Sequence, residues 1–222
     1  MPDLSSQTVY VTGAGGRLGR VLMRHLHDAG ARVVALDLQR PEGDALAHAA
    51  AVDLADESAV EQAFADAAAA AGRPDALVHV AGSWDGRPLL ETSLADWEAQ
   101  LRPNLTTAFL CFREAARHMA EGDGGRLVGI ASRQGADGAP AQQAAYAAAK
   151  AGVVRLVEAC AAEFEGRGIT AAAVAPSMIL FGNEAPGTKG ISADEVAATC
   201  AQLCATRQAA NGEVLRLYGT AE

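Results

Sequence analysis

Tyr146 and Lys150 lie four residues apart in an alanine-rich run from Ala139 to Gly152. This spacing places both side chains on one face of a helix, one turn apart. A phenol has an unperturbed pKa of about 10, so it transfers protons poorly at neutral pH. A fixed ammonium nearby favours the phenolate and lowers that pKa towards the working range. The pair therefore predicts an acid/base centre, although a solvated Tyr and Lys on a helix surface would show the same spacing.

Lysine is scarce in this chain, which has only Lys150 and Lys189 against sixteen arginines. A compact ammonium on a thin stem does not substitute for a broad planar guanidinium in a tight site. The use of lysine at position 150 therefore favours the functional interpretation of the pair.

A glycine-rich turn follows the first strand-like run, Thr8 to Thr12, and contains Gly13, Gly16 and Gly19. An apolar helical pattern comes next, and then a second β-branched run that ends at Asp37. Glycines in this position let a backbone approach a pyrophosphate at a helix N-terminus, where N–H groups and the helix dipole favour anions. A carboxylate after the second strand is placed to accept the hydroxyls of an adenosine ribose. This order of elements predicts a dinucleotide site.

Strand-like runs alternate with helical patterns along the whole chain, without a repeat or a linker. Such alternation predicts an α/β fold of the Rossmann type: a doubly wound parallel sheet of about seven strands, with helices on both faces, in one domain over residues 1–222. The predicted strands are 8–12, 32–36, 49–54, 75–80, 126–132, 169–175 and 213–218. Ligands of such sheets bind at the carboxyl ends of the strands. We therefore expect one crevice lined by the residues at those ends, namely Gly13, Asp37, Asp53, Ala81, Ser132 and Pro176.

The composition argues against several other classes of protein. A net charge of −9 and a pI near 5.0 do not suit nucleic acid, whose phosphates require a basic face. No uncharged apolar run reaches the length of about 18 residues that a membrane helix requires. The acidic start Met1-Pro2-Asp3 is unlike a signal peptide, so a cytoplasmic location is expected. The cysteines and histidines show no metal-ligand spacing, and free thiols and no metal are expected.

Several short motifs follow one another in a fixed order along the chain. They are Thr12-Gly13, Gly16, Gly19, Asp53-Leu54, Ala81-Gly82, Asn104, Ser132, Tyr146, Lys150 and Asn211-Gly212-Glu213-Val214. Together they resemble the short-chain dehydrogenase/reductase family, specifically its short single-domain members, over nearly the whole length. The run 142–152 looks most like that of 3-oxoacyl carrier-protein reductases.

The resemblance implies an NAD(P)(H)-dependent oxidoreductase that interconverts a secondary alcohol and a ketone by hydride transfer. Tyr146 would act as general acid/base on the substrate oxygen, and Ser132 would hydrogen-bond that oxygen. Lys150 would hold the nicotinamide ribose and lower the pKa of Tyr146. Asn104 would anchor a water that links Lys150 to solvent. From the residues alone, Ser132 could equally be a helix-side cap or a satisfied strand-end hydroxyl, and Asn104 a cap of the helix after Pro103.

The resemblance also implies a set of cofactor-binding residues. They are Gly13, Gly16, Arg17, Leu18, Gly19, Asp37, Asp53, Leu54, Ala81, Gly82, Tyr146, Lys150, Pro176, Ser177 and Ile179. Arg17 stands where the short members usually have glycine, and it could lie near an adenosine 2′-phosphate and favour NADP. Asp37 repels that phosphate, so NAD is expected and NADP stays possible.

The chain departs most from the family between Pro176 and the helix near Ser192, where only 15 residues stand in place of a helical lid. The segment 177–191 is glycine-rich and predicts a bare, flexible loop over an open site. Ser177 and Phe181 also replace residue types that are usual beside the nicotinamide. These departures motivate an alternative hypothesis, a non-catalytic dinucleotide-binding sensor or scaffold.

Two further expectations concern partners and the sheet. Helix faces carrying Phe109, Phe112 and Met119, and Val153, Val154 and Val157, predict pairing into a homodimer or homotetramer. His79 is expected to be a packed or hydrogen-bonded histidine in the sheet. The substrate is a small-molecule alcohol or ketone, and no residue of the loops around the site specifies which one.

Overall fold

The computed structural model describes residues 2–43, 46–206 and 210–219. Both ends of the predicted domain, residue 1 and residues 220–222, lie outside the described part, as do residues 44–45 and 207–209. The strands are β1 Thr8–Thr12, β2 Arg32–Asp37, β3 Leu46–Ala51, β4 Ala76–His79, β5 Gly125–Ile130, β6 Ile169–Pro176, β7 Ile179–Leu180, β8 Ile191–Ser192 and β9 Val214–Leu217. Seven of them form one sheet in the order β3-β2-β1-β4-β5-β6-β9, and every pair in it is parallel.

Helices cover both faces of this sheet. They are α1 Arg17–Asp28, α2 Glu57–Ala71, α3 Leu94–Leu101, α4 Thr107–Ala120, α5 Arg133–Ala136, α6 Ala144–Glu163 and α7 Ala193–Ala205. A 3₁₀ turn at Leu89–Glu91 precedes α3, and a π-helical turn at Arg102–Thr106 joins α3 to α4. Within the described residues, no helix is long and apolar enough to cross a membrane.

Successive residues of β1 point into two separate cores. Tyr10 packs with α2, α4 and α6, whereas Val9 and Val11 pack with α1 and α7. Side chains alternate between the two faces of a strand, so a strand that is apolar at every position must be covered on both sides. The predicted doubly wound parallel sheet is confirmed.

Six of the seven predicted strands differ from the structure by one to three residues at one or both ends, and two of these differences concern residues of the predicted site. β3 begins at Leu46 and ends at Ala51, so Asp53 and Leu54 follow the strand instead of ending it. This edge strand consists mainly of alanine, which gives little β propensity by which to place its ends. The strand predicted over 126–132 ends at Ile130, and Ser132 begins the helical turn α5, because its side chain accepts a hydrogen bond from the Gly135 N–H and caps the turn.

The segment 177–191 contains no helix, as its glycine-rich sequence predicts, but it is not an entirely bare loop. Its two ends pair as the parallel strands β7 and β8. Between them, the Glu184 carboxylate accepts hydrogen bonds from the backbone N–H groups of Phe181, at 2.9 Å, and of Gly182, at 3.0 Å. Glycine content predicts turns, but it does not show whether a neighbouring side chain will satisfy their backbone.

Most of the apolar residues assigned to pairing faces lie inside the chain's own core. Phe112, Met119 and the valines at 153, 154 and 157 are buried there, and only Phe109 is exposed, at 45%. The helical spacing of these residues predicts that one face of each helix is buried. It does not show whether the sheet of the same chain or a second subunit buries that face.

His79 connects three elements in the middle of the molecule. Its Nδ1 lies 2.8 Å from Thr12 Oγ1 on β1, and its Nε2 lies 3.2 Å from Thr107 Oγ1 at the start of α4. The expected packed, hydrogen-bonded histidine is confirmed. Burial, and then the charge of Lys150, lower the pKa of His79 to about 3, so its imidazole is neutral in the fold.

This burial predicts a pH dependence of stability. Unfolded, His79 binds a proton below its ordinary pKa of about 6.5, whereas the folded protein excludes that proton until the pH approaches 3. Stability is therefore lost as the pH falls between these two values. We expect the free energy of unfolding to drop between pH 7 and pH 5 by about 2 kcal/mol more in the wild type than in His79→Asn. Urea denaturation at both pH values measures this.

His27→Asn is the matched control, since His27 is exposed on α1. It should leave the pH dependence of the wild type unchanged. An equally steep loss of stability in His79→Asn would show that other groups cause it.

Candidate active site

Two adjoining clefts open at the carboxyl ends of the strands, with volumes of about 590 Å³ and about 660 Å³. We call the first the turn cleft and the second the Tyr146 cleft. Of the sequence-predicted residues, the turn cleft is lined by Gly13, Gly16, Gly19, Asp37, Asp53, Leu54 and Ala81. The Tyr146 cleft is lined by Asn104, Ser132, Tyr146, Lys150, Pro176, Ser177 and Ile179. Arg17, Leu18 and Gly82 line both clefts, so the fold brings all the predicted residues to one continuous crevice.

The glycine turn between β1 and α1 leaves no room for side chains. Gly13 has a φ of +68°, and a Cβ there would lie 2.6 Å from the backbone nitrogen of Ala81. A Cβ on Gly19 would lie 2.2 Å from the Gly13 carbonyl oxygen. No side chain caps the N-terminus of α1, so its first N–H groups face the turn cleft unpaired by a cap. This arrangement fits a pyrophosphate, which such N–H groups and the helix dipole attract.

Two carboxylates border the turn cleft. Asp37 accepts hydrogen bonds from the N–H groups of Gly15, at 2.8 Å, and of Leu38, at 2.7 Å. Asp53 accepts one from the Ala55 N–H at 2.9 Å and pairs with the Arg102 guanidinium at 3.1 Å. Backbone bonds therefore fix Asp37 beside the glycine turn, at the end of β2.

The Lys150 ammonium is buried in the floor of the Tyr146 cleft. It donates a hydrogen bond to the carbonyl oxygen of Ile130, at the end of β5, at 2.8 Å. A Cβ on Gly82 would lie 3.2 Å from Lys150 Nζ and 2.5 Å from Asn104 Oδ1, so the lysine and the asparagine approach the same glycine. Burial lowers the pKa of Lys150 to about 8.

Asn104 lies in the π-helical turn, next to Pro103. Its Nδ2 donates hydrogen bonds to the carbonyl oxygens of Ser83 and Gln100, each at 2.9 Å, and its Oδ1 accepts one from the Ser83 N–H at 3.3 Å. Asn104 therefore does not cap the following helix; it ties the chain after β4 to the turn. Single π turns inside α-helices are frequent at functional sites.

Tyr146 and Ser132 face each other across the Tyr146 cleft. The Ser132 side chain is the N-cap of α5 and also hydrogen-bonds with the Tyr146 hydroxyl. Burial raises the pKa of Tyr146, and the bond with Ser132 offsets this only in part. The expected lowering of this pKa by Lys150 is wrong here, because desolvation of the phenolate dominates and the ammonium is directed at Ile130.

Arg17 contacts the segment 177–191. Its guanidinium carbon lies 3.9 Å from the centre of the Phe181 ring, and its Nη2 donates to Asn183 Oδ1 at 2.7 Å. Of these two partners, Phe181 lines the Tyr146 cleft. The sequence left open that Arg17 lies near an adenosine 2′-phosphate. The contacts that Arg17 makes give this placement no support.

Sequence reasoning missed several residues around the crevice. Gln134 and Gln143 bring carboxamides to the Tyr146 cleft. Gln143 precedes Tyr146 by three residues, a helical spacing that would have placed both on one face. A third cleft of about 740 Å³ adjoins Asp37 and contains Arg20 and Arg40, for which the sequence held no signal.

Known proteins share this fold and these motifs. The family model described as short chain dehydrogenase matches residues 7–189. D-threitol dehydrogenase of Mycolicibacterium smegmatis is 38% identical over 80% of this chain and 72% of its own length. Cis-4-hydroxycyclohexanecarboxylate dehydrogenase of Sinomonas cyclohexanicum is 34% identical over 95% of this chain and 86% of its own.

Two further similarities agree with these. A 3-oxoacyl-[acyl-carrier-protein] reductase of a Synechocystis species is 36% identical over 81% of this chain and 76% of its own length. A crystal structure assigned to the short-chain dehydrogenases/reductases, from Burkholderia xenovorans, superposes with a TM-score of 0.88 at 27% identity, over 99% of this chain and 97% of that one. The chain therefore belongs to the short-chain dehydrogenase/reductase family and is an NAD(P)-dependent oxidoreductase.

Proposed function

We propose that this protein interconverts a secondary alcohol and a ketone, with Tyr146 as the general acid/base. The observation that carries the proposal is that Asn104, Ser132, Tyr146 and Lys150 line one cleft, continuous with a glycine turn shaped for a pyrophosphate. The alternative, a non-catalytic sensor or scaffold, receives no support from the relatives, whose names are those of dehydrogenases and reductases.

The nicotinamide cofactor, when bound, supplies or accepts the hydride. The protein handles the proton. Because burial raises the pKa of Tyr146, its phenol is protonated at neutral pH, which is the state required to donate a proton to the oxygen of a ketone during reduction. In the direction of alcohol oxidation, Tyr146 must first lose that proton.

Two neighbours assist Tyr146 in this proposal. The Ser132 hydroxyl is held at the N-terminus of α5, where it can hydrogen-bond the same substrate oxygen and stabilise its developing negative charge. Lys150 is assigned to the nicotinamide ribose. Its ammonium and Asn104 meet at Gly82, which supports a path for the proton from the buried lysine towards solvent through an Asn104-bound water.

The cofactor is assigned as NAD. The Asp37 carboxylate stands at the end of β2, where it would accept the ribose hydroxyls and repel a 2′-phosphate. The one arginine that the sequence offered to that phosphate, Arg17, is engaged with the segment 177–191 instead. NADP stays possible because Arg20 and Arg40 line the cleft beside Asp37.

The substrate is assigned only as a small-molecule alcohol or ketone. The relatives named for D-threitol and for cis-4-hydroxycyclohexanecarboxylate make these two compounds the first members of a test panel. A cytoplasmic location and a homodimer or homotetramer are part of the proposal, supported by the acidic composition and the family. The whole of residues 1–222 is assigned to one domain.

Replacing Tyr146 with Phe removes the proton donor and leaves the glycine turn intact. We expect the turnover of the best panel alcohol to fall by at least about 10²-fold, while the dissociation constant of NADH, measured by fluorescence, changes by less than about threefold. Tyr10→Phe is the control, because Tyr10 is a buried tyrosine whose hydroxyl bonds the Gly72 carbonyl outside both clefts. Wild-type turnover by Tyr146→Phe would contradict the assigned role.

Replacing Asp37 with Asn keeps the shape of the side chain and removes its charge. We expect the wild type to have a higher kcat/KM with NAD than with NADP, and Asp37→Asn to narrow that ratio by about tenfold or more, since the repulsion of the 2′-phosphate is lost. Steady-state rates with both cofactors measure it. Asp66→Asn, an exposed position on α2, should leave the ratio unchanged. A wild type that prefers NADP would overturn the NAD assignment.

A further inference from the structure

Two departures from the family pattern contact each other in this structure. One is Arg17, in place of the usual glycine, and the other is the shortened segment 177–191. The Arg17 guanidinium stacks on Phe181 at 3.9 Å, donates to Asn183 at 2.7 Å and lies 3.8 Å from the Glu184 carboxylate. Planar guanidinium suits such combined stacking and hydrogen bonding, whereas glycine would leave all three partners uncontacted.

The turn that Arg17 contacts is held together by its own hydrogen bonds, independently of Arg17. Glu184 accepts hydrogen bonds from the N–H groups of Phe181 and Gly182, so Phe181, Asn183 and Glu184 form one small unit. An isolated exposed ion pair contributes little to stability, and Arg17 is 60% exposed. Three contacts to a single ordered unit restrain it more than one pair would, and one of the three is the stacking of a guanidinium on an aromatic ring.

The base of the segment is fixed independently of Arg17. The Ser177 hydroxyl donates to the Tyr218 carbonyl oxygen at 2.8 Å, and the Ile191 N–H donates to the Met178 carbonyl oxygen at 2.9 Å. The tip, by contrast, reaches across to α1 through Arg17. Both Met178, near the base, and Phe181, at the tip, line the Tyr146 cleft.

We propose that Arg17 is a positioning residue that holds the shortened segment 177–191 against the Tyr146 cleft and thereby replaces a helical lid. The arginine acts through Phe181, Asn183 and Glu184 on the apolar wall of the substrate site. The cofactor residues at the base of the segment stay in place without it. Loss of Arg17 should therefore weaken the binding of the alcohol, and change the chemical step and NADH binding little.

Endoproteinase Lys-C tests the position of the segment without any substrate. The chain has two lysines: Lys189 is exposed in the segment, and Lys150 is buried in α6. Cleavage after Lys189 reports opening of the segment, and cleavage after Lys150 reports global unfolding, so the two fragment patterns separate these events. We expect Arg17→Ala to speed cleavage after Lys189 by about fivefold or more, without raising cleavage after Lys150.

Arg24→Ala is the matched control. Arg24 lies on the same helix, is equally exposed at 60%, and pairs with Asp194 outside the segment. It should leave cleavage after Lys189 at the wild-type rate. The double variant Phe181→Leu/Asn183→Ala removes the stacking and the hydrogen bond and leaves only the 3.8 Å approach of Arg17 to Glu184. It should therefore come close to Arg17→Ala, and adding Arg17→Ala to it should produce little further increase.

The functional readout is the oxidation of the panel alcohol with the highest turnover, with NAD⁺ as the hydride acceptor, and NADH binding is measured separately. Arg17→Ala should raise the KM for the alcohol by about fivefold or more, with kcat and the dissociation constant of NADH each within about twofold of the wild type. Arg17→Lys keeps the charge and loses the planar fork, so its KM for the alcohol should lie between those of the wild type and Arg17→Ala.

Three results would overturn the proposal. One is an unchanged rate of cleavage after Lys189 in Arg17→Ala. Another is a rate in the triple variant equal to the product of the separate effects. The third is wild-type cleavage that rises to the rate of Arg17→Ala when NADH is added, because it would show that Arg17 leaves the segment to bind the cofactor phosphates.

Discussion

The buried ammonium of Lys150 is the constraint around which the site is built. A charge out of water requires close polar partners, and this one is directed at the Ile130 carbonyl oxygen at the end of β5. The surrounding elements have to approach closely to bury it. Two of them do so through glycine: a Cβ on Gly82 would crowd Lys150 Nζ, and a Cβ on Gly135 would lie 2.4 Å from the Lys150 carbonyl carbon. The ends of β4 and β5 and the turn α5 therefore pack closely against α6 around Lys150.

The same charge influences groups that never touch the substrate. With burial, it keeps His79 neutral in the centre of the sheet, where the imidazole joins β1, β4 and the start of α4. Burial in turn moves the pKa values of Lys150 and Tyr146 apart, downward to about 8 for the lysine and upward for the tyrosine. Both shifts follow from one cause, since a desolvated site disfavours ammonium and phenolate alike. The resting site thus holds a protonated phenol and a lysine that is easily deprotonated.

The segment 177–191, beside the Tyr146 cleft, has a length set by the sequence and a conformation that depends on tertiary contacts. The shortness of segment 177–191, which predicts an open site, can be seen directly in the sequence. Its order depends on contacts from elsewhere: Glu184 satisfies the backbone of the turn, and Arg17 reaches it from a position 166 residues earlier in the chain. Neither Arg17 nor Phe181 is explained by its own neighbours in sequence. Their contact accounts for both substitutions together.

The sequence by itself determined the parallel sheet, the glycine turn and the helical turn that carries Tyr146 and Lys150, because each depends on local spacing. The signals are apolar runs at strand length, glycines where a Cβ would clash, and a tyrosine and a lysine four residues apart. The convergence of Asp37, Ser132 and Pro176 also followed, since parallel strands end at one edge. Only the tertiary structure decided which of two opposing effects sets the pKa of Tyr146, what covers Val153 and Val157, and which way Arg17 turns. These depend on burial and on partners distant in the chain, and residue spacing along one element carries no information about either.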